Sequence, residues 1–411
     1  MKYNVAILHY SAPPVIGGVE EVIKQQAFLF RRNLISVKIV AGKGEQFDKL
    51  IPVETNPLLA SDSEEIAKSV ESALKGNMEY LFKLKENIKN YLINSVKDFD
   101  FLVVHNILNM KYNLPAAMAI HEIANEKITK VISWCHDSLY FYDNYNPIFD
   151  KEPFNILKKY NENITYVAIS KSRQKLFASL FNISENKIHV IKNGVDPVKF
   201  FMLDTNTVKI IKQEDLYNCD LLLVQPSRLH PRKNIELTIK VIKALIEKGV
   251  NAKALITGAF DPHEKSTIEY YDKLCNLIKD LKVENNAILL AKYILPSGEA
   301  IQSNKIKIKD IYHLADILFL PSTQEGFGIP LLEAGMLKIP VVCSNIPPFK
   351  EIAGEYVTFF DLNEDINSIA DKIIKVSKTY KTSLFFRKVL KEYSLDNIFK
   401  EKINPLLTSL L

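Results

Sequence analysis

Cysteine is scarce in this chain: Cys135, Cys219, Cys275 and Cys343 are the only four in 411 residues, and no CxxC or Cys/His spacing joins them. That excludes a zinc module and a disulfide framework, and the four read as reduced, space-filling thiols. Long apolar runs are missing too, so no segment is expected to span a bilayer. The first ten residues lack the charged, apolar and small-residue regions of a secretory signal, and a cytoplasmic protein is expected. Nor is charge gathered in one place. The excess of 53 Lys and Arg over 48 Asp and Glu is +5, spread over Lys-rich helical stretches with no basic, aromatic-interleaved block. No nucleic-acid partner is expected, while a small anionic substrate fits. No repeat of solenoid length and no low-complexity tract is present. The turn after the first strand lacks GxGxxG spacing, which counts against a dehydrogenase.

What is present is the balance of a folded protein, 47% apolar and 25% charged residues, in a chain long enough for two domains. Short β-branched or apolar runs alternate with longer helical-period stretches, the pattern of βαβ units and parallel sheets in an α/β fold. Strands are expected at 3–10, 35–41, 101–105, 130–134, 166–169 and 188–191, then at 221–225, 252–257, 287–290, 317–320, 341–343 and 356–359. A boundary falls between about 197 and 220. It divides a first domain (1–200) from a second (201–390), with a helical segment (391–411) expected to pack back on the first. The polar stretch 63–97 reads as an acceptor lid, a membrane-touching element or a helical hairpin.

In open parallel sheets ligands sit beyond the carboxyl ends of strands, and three segments there carry chemistry. Pro321 to Gly335 follows a strand. Gly326 and Gly328 allow a tight turn and a close backbone approach, Pro330 suits a first helical turn, and Glu325 and Glu333 are placed for two polyols. A Gly-rich helix start with two solvated carboxylates is the plainer alternative. Ser227 to Asn234 follows another strand and offers a helix start with Arg228 and Lys233 for a diphosphate, or simply a solvated basic turn. Pro13 to Glu20 contains Gly17 and Gly18, which either admit a phosphate or acceptor to backbone amides or serve conformation alone. The lone Asp-x-Asp, Asp98 and Asp100, lies at the wrong end of its strand for a ligand.

In order and spacing these segments resemble the GT-B fold glycosyltransferases of family 4, a retaining family that includes sucrose-phosphate synthases, mannosylfructose-phosphate synthases and bacterial mannosyltransferases. The resemblance covers nearly the whole chain and implies two Rossmann-like domains facing an interdomain cleft. It also implies hexosyl transfer from a nucleotide diphosphate sugar, with no required cofactor or metal, although stimulation by a divalent cation is compatible with it. By that resemblance Glu325 contacts the donor hexose beside the amides of Gly326, Phe327 and Gly328, and Glu333 holds the ribose hydroxyls. Arg228 and Lys233 take the diphosphate, Gly17 and Gly18 close over it, and the base is read around Tyr293 and Ile294. His136, in Trp134-Cys135-His136-Asp137, matches a histidine near the reaction centre, though a structural His–Asp pair is an equal reading. The catalytic set is then His136, Arg228, Lys233 and Glu325.

The acceptor belongs to the first domain, where Tyr10, His105, Asn106, Lys111, Lys171 and Arg173 fall at strand ends. A cationic subset would suit a sugar phosphate or phosphoglycerate derivative, against the alternative of ordinary surface lysines. GDP-mannose is favoured over UDP-glucose as donor. The competing readings are transfer to a lipid-linked or cell-envelope glycan, with peripheral membrane contact, a GT-B phosphorylase, and a non-catalytic sugar-nucleotide binding protein.

Overall fold

The computed structural model describes residues 3–142, 145–258, 266–302 and 306–411. Two units are formed, one of Met1–Gly194 with Leu395–Leu411 and one of Val195–Ser394. The chain thus leaves the first unit a few residues before the 200/201 division read from the sequence, and re-enters it a few residues after 390.

The first unit is built on seven strands: β1 (Asn4–Ser11), β2 (Ser36–Lys43), β3 (Val53–Thr55), β4 (Phe101–His105), β5 (Lys130–Cys135), β6 (Ile164–Ala168) and β7 (Ile188–Val190). All neighbours pair in parallel, in the order β3-β2-β1-β4-β5-β6-β7. Helices cover both faces of such a sheet, so its strands read as near-continuous apolar runs, and β4 is buried at every residue. The chain steps outward from β1 to β3 and then returns to lay β4 against β1. That reversal opens a crevice beyond the carboxyl ends of β1 and β4.

Of the three readings for 63–97 the structure gives the hairpin, with helices Glu64–Leu74 and Glu79–Val96 on either side of a turn where Gly76 takes φ +92°. Leu81, Leu84, Ile88, Leu92 and Val96 bury one face of the second helix. The spacing of three and four residues makes them a single stripe. Lys89 on that helix pairs with Glu122 at 2.9 Å and Glu126 at 2.5 Å. The hairpin is therefore a packed layer of the unit.

The returning segment forms three helical turns, Leu395–Ile398, Phe399–Ile403 and Asn404–Leu410. Its Leu395, Ile398, Phe399, Ile403, Leu406 and Leu407 join Ile23, Ala27 and Phe30 of helix Gly18–Arg32 in one buried cluster. Arg32 pairs with Asp396 at 3.2 Å, and the Tyr3 hydroxyl donates to Asn404 at 2.9 Å.

The second unit repeats the plan with β8 (Leu221–Gln225), β9 (Ala252–Ile256), β10 (Ala287–Leu289), β13 (Ile317–Leu320), β14 (Val341–Ser344) and β15 (Thr358–Phe360), and adds an antiparallel pair, β11 (Lys292–Ile294) and β12 (Ala300–Gln302). The parallel order is β10-β9-β8-β13-β14-β15, so the reversal falls between β8 and β13. Helix Lys381–Tyr393 is pinned to this sheet by buried Arg387. Its Nε donates to Asp316 at 2.6 Å, and its two Nη groups donate to the carbonyls of Leu216 at 2.9 Å and Leu314 at 2.7 Å. Among the described residues no helix is long and apolar enough to cross a membrane.

Candidate active site

At the reversal of the second sheet, the loops after β8 and β13 are tied to each other. The Thr323 N–H donates to the Arg232 carbonyl at 2.8 Å. His230 caps the short turn Pro231–Lys233 by accepting the Arg232 N–H at 3.1 Å, and Asn234, at φ +50°, ends that turn before helix Ile235–Glu247. Gln225, the last residue of β8, donates to the Lys233 carbonyl at 2.8 Å and accepts from the Thr238 hydroxyl at 2.6 Å. The strand end therefore sets the height of Lys233.

Across from it, Glu325 accepts from the Ser322 hydroxyl at 2.8 Å and from the Lys233 ammonium, while Arg232 stands 3.6 Å from its other oxygen. The Lys233 and Glu325 side chains are only 16% and 13% exposed, so their charges are largely withdrawn from water and matched by each other. Gly328 takes φ +137°, and a Cβ there would stand 3.1 Å from the Phe349 ring, so the helix Ile329–Met336 opens on a residue only glycine can supply. Gly326 and Phe327 are exposed beside Glu325. Glu333, on the helix, accepts from the Tyr312 hydroxyl at 2.5 Å; burial and then this carboxylate push the Tyr312 phenol upward. Arg228 is exposed on the loop after β8. The Tyr293 side chain is buried and donates to Glu214, while Ile294 next to it is exposed on β11.

The first unit assembles a different kind of site at its own reversal. The His105 Nδ1 lies 3.0 Å from His136 Nε2, its Nε2 lies 3.1 Å from the Gln26 amide oxygen, and its ring stacks on Trp134. The His9 Nδ1 faces the His105 carbonyl at 2.8 Å, and its Nε2 stands 3.7 Å from Glu20, which also accepts from the Ser11 hydroxyl at 2.5 Å. The bond with His9, and after it the one from Ser11, outweigh burial and hold the Glu20 carboxyl down at about 2. Burial, with the neighbouring His9 ring adding to it, lowers His136 to about 4; burial and the proximity of the His136 and His9 rings push His105 well below its ordinary value.

Glu20 also explains Gly17. A Cβ at Gly17 would come within 2.0 Å of the Glu20 carboxylate, whereas Gly18 faces open space. His136 bonds His105 and not Asp137, so the His–Asp pair weighed from sequence does not form. Asp137 instead pairs with Arg173 at 3.2 Å and accepts from the Tyr142 hydroxyl at 2.5 Å. Asn106, at φ +56°, accepts the Asp137 N–H at 2.9 Å, and its carbonyl receives the buried Tyr10 hydroxyl at 3.4 Å. Lys111 and Lys171 are exposed. Asp100, of the Asp-x-Asp, receives the Asn4 N–H at 2.8 Å at the far end of the sheet. Among the described residues no group of three or more His, Cys, Asp or Glu is arranged to hold a metal ion.

Two family profiles match in succession, Glycosyltransferase Family 4 at residues 16–199 and Glycosyl transferases group 1 at 207–393. The chain belongs to the family 4 glycosyltransferases of GT-B fold. Among curated relatives of this glycosyltransferase, the mannosylglucosylglycerate synthase of Petrotoga mobilis is 28% identical over 85% of this chain and 84% of its own length. An uncharacterized glycosyltransferase of Methanocaldococcus jannaschii is also 28% identical, over 59% of this chain; the match spans 60% of that relative's length. A glycosyltransferase of Rickettsia africae, known by crystal structure, aligns over 100% of this chain and 98% of its own at 17% identity and a TM-score of 0.38.

Sequence reasoning missed His9, Ser11, Glu20 and Gln26, which join His105 and His136 in this glycosyltransferase. One signal was available: His9 interrupts a strand that is otherwise apolar on both faces, and a buried polar side chain in such a place needs a partner.

Proposed function

We propose that this glycosyltransferase moves a hexose from a nucleotide diphosphate sugar to a hydroxyl of a small polar acceptor, with retention at the anomeric carbon. The observation that carries the reading is the meeting of Lys233 and Glu325 at the reversal of the second sheet. In the free protein the two neutralise each other. A bound donor offers each a better use, its diphosphate for the ammonium and its hexose hydroxyls for the carboxylate, so the pair opens without stranding a charge. Arg228 stands on the same loop and adds a second cation for the leaving diphosphate. Glu333, about one turn into helix Ile329–Met336, is read as the partner of a ribose diol.

In the transfer step the acceptor oxygen bonds the anomeric carbon as the bond from that carbon to the diphosphate oxygen breaks. The electron pair leaves with the phosphate, which takes up the acceptor proton on the same face. No separate base is needed. The share of the protein is placement and stabilisation of the charge that develops on the leaving group. No cofactor is required, and a divalent cation at most stimulates. The name of the Petrotoga relative, a mannosylglucosylglycerate synthase, supports mannose as the hexose and a glycerate-containing acceptor, which agrees with the preference for GDP-mannose over UDP-glucose.

The test is a thermal-shift and calorimetric comparison of GDP, UDP, ADP and their hexose conjugates. Stabilisation by one nucleotide family is expected, with the conjugate binding through the same residues; no binding by any of them defeats the reading. Product NMR then checks the anomeric configuration, and an inverted centre overturns retention.

A further inference from the structure

The two histidines at the first-unit reversal are joined nitrogen to nitrogen, so each can be neutral only in a tautomer that suits the other. Gln26, buried in helix Gly18–Arg32, presents its amide oxygen to His105 Nε2. With the amide oxygen on that side Gln26 can only accept, and this orientation puts the His105 proton on Nε2 and leaves Nδ1 as a lone pair. That lone pair faces His136 Nε2 at 3.0 Å, which must then carry the proton of the second ring. The consequence falls on the far side of His136: Nδ1 is unprotonated, and no described side chain or carbonyl is bonded to it. His9 stabilises the arrangement from below, since its Nδ1 donates to the His105 carbonyl and holds that residue in register while Glu20 balances its other nitrogen.

We propose that Gln26 is a positioning residue that locks His105 and His136 in their Nε2–H tautomers, so that His136 meets a hydroxyl of a bound sugar as a hydrogen-bond acceptor and not as a proton donor. The role given to the ring rests on the hexosyl-transfer reading; the tautomer does not. A donor tautomer would place N–H against a sugar hydroxyl and compete for its lone pairs. The acceptor tautomer receives a hydrogen bond from the hydroxyl, which keeps its proton and gains electron density on the sugar oxygen.

The experiment is ring-15N histidine NMR on the full chain, with His105 and His136 identified by difference against His105→Gln and His136→Gln. The expected spectrum shows both rings protonated at Nε2 and unprotonated at Nδ1 at neutral pH. A wild-type His136 protonated on Nδ1 overturns the proposal. Gln26→Leu, which keeps the bulk and removes the acceptor oxygen, should mix the tautomers of both rings. It should lower kcat by about tenfold, the worth of one hydrogen bond, with KM for the donor little changed. Gln26→Glu, which keeps an acceptor oxygen, should restore the wild-type tautomers and most of kcat. Unmixed tautomers in Gln26→Leu also overturn it. If that variant does not fold, the wild-type spectrum and Gln26→Glu still decide. If the chain proves not to transfer hexose, the spectra still report on the lock, so the two failures can be told apart.

Discussion

The two units share one strand plan and differ in how they keep polar groups under cover. The second buries charge and matches it, as Arg387 with Asp316 and Lys233 with Glu325. The first also matches charge, as Lys89 with Glu122, but adds buried titratable rings that stay neutral, His105, His121 and His136, all pushed down chiefly by burial. Matched charge is insensitive to moderate pH but fails when a partner is removed. Neutral rings tolerate the loss of one neighbour better, yet fail when the solvent offers protons.

The largest expected effect tests the first half of that contrast. Arg387→Ala strands Asp316, and loss of one partner of a buried pair should cost about 3–5 kcal/mol. Denaturant unfolding followed by probes in each unit should place the loss in the second unit. A loss below about 1 kcal/mol would show that water or another cation compensates Asp316.

Next, Lys233→Ala should lower kcat by on the order of a hundredfold, the scale of removing one preorganised contact to developing charge, and Arg228→Ala by somewhat less. Steady-state turnover checks this, and undiminished rates in both variants would remove the leaving-group assignment.

Acidification probes the other unit. His121 and His136 titrate near 4 in the folded protein and near 6.5 when unfolded. Above about pH 6.5 neither state is protonated and the depressed values do not alter stability. As pH falls below that, the unfolded chain takes up protons first and stability is lost, by about 2 kcal/mol for each ring at pH 5. His105 adds in the same direction. Melting curves from pH 8 to 5 should show the first unit weakening before the second; simultaneous weakening would break the comparison.

The smallest effect is local. Glu333→Gln should weaken nucleotide binding about tenfold with little change in kcat, read by calorimetry and kinetics, since the ribose contact proposed for it would be equal in ground and transition states.

The same contrast explains what could be read in advance. Long strands such as β4 and β8 begin and end where apolar runs do. The three-residue β3, β11 and β12 escaped because each mixes a polar residue into Val53–Thr55, Lys292–Ile294 and Ala300–Gln302, whereas the equally short β10 is apolar throughout. The last strand was read early, as Tyr356 closes the turn Gly354–Tyr356 before β15 begins. In the second unit the loop chemistry is written in contiguous residues, from Arg228 to Lys233 and from Glu325 to Glu333, so local pattern suffices to gather it. In the first unit His9, Glu20, Gln26, His105 and His136 come from two strands, one helix and a loop, and are neighbours only because β1, β4 and β5 lie side by side. No window along the chain contains that fact. Asn106 shows the same limit, since its positive φ and its bond to Asp137 follow from the β4–β5 pairing and not from its own neighbours.

The return of Leu395–Leu411 to the first unit also has a bearing on synthesis. Helix Gly18–Arg32 is made early, but Phe399, Ile403 and Leu407, which cover its apolar side, are made only after the whole second unit. At roughly 5–20 residues per second, the interval is on the order of ten seconds or more. Throughout it, Phe30 and Ile23 lack their final partners on the nascent chain. Vectorial folding can complete the second unit while the first still waits, so the domain begun first is the one finished last.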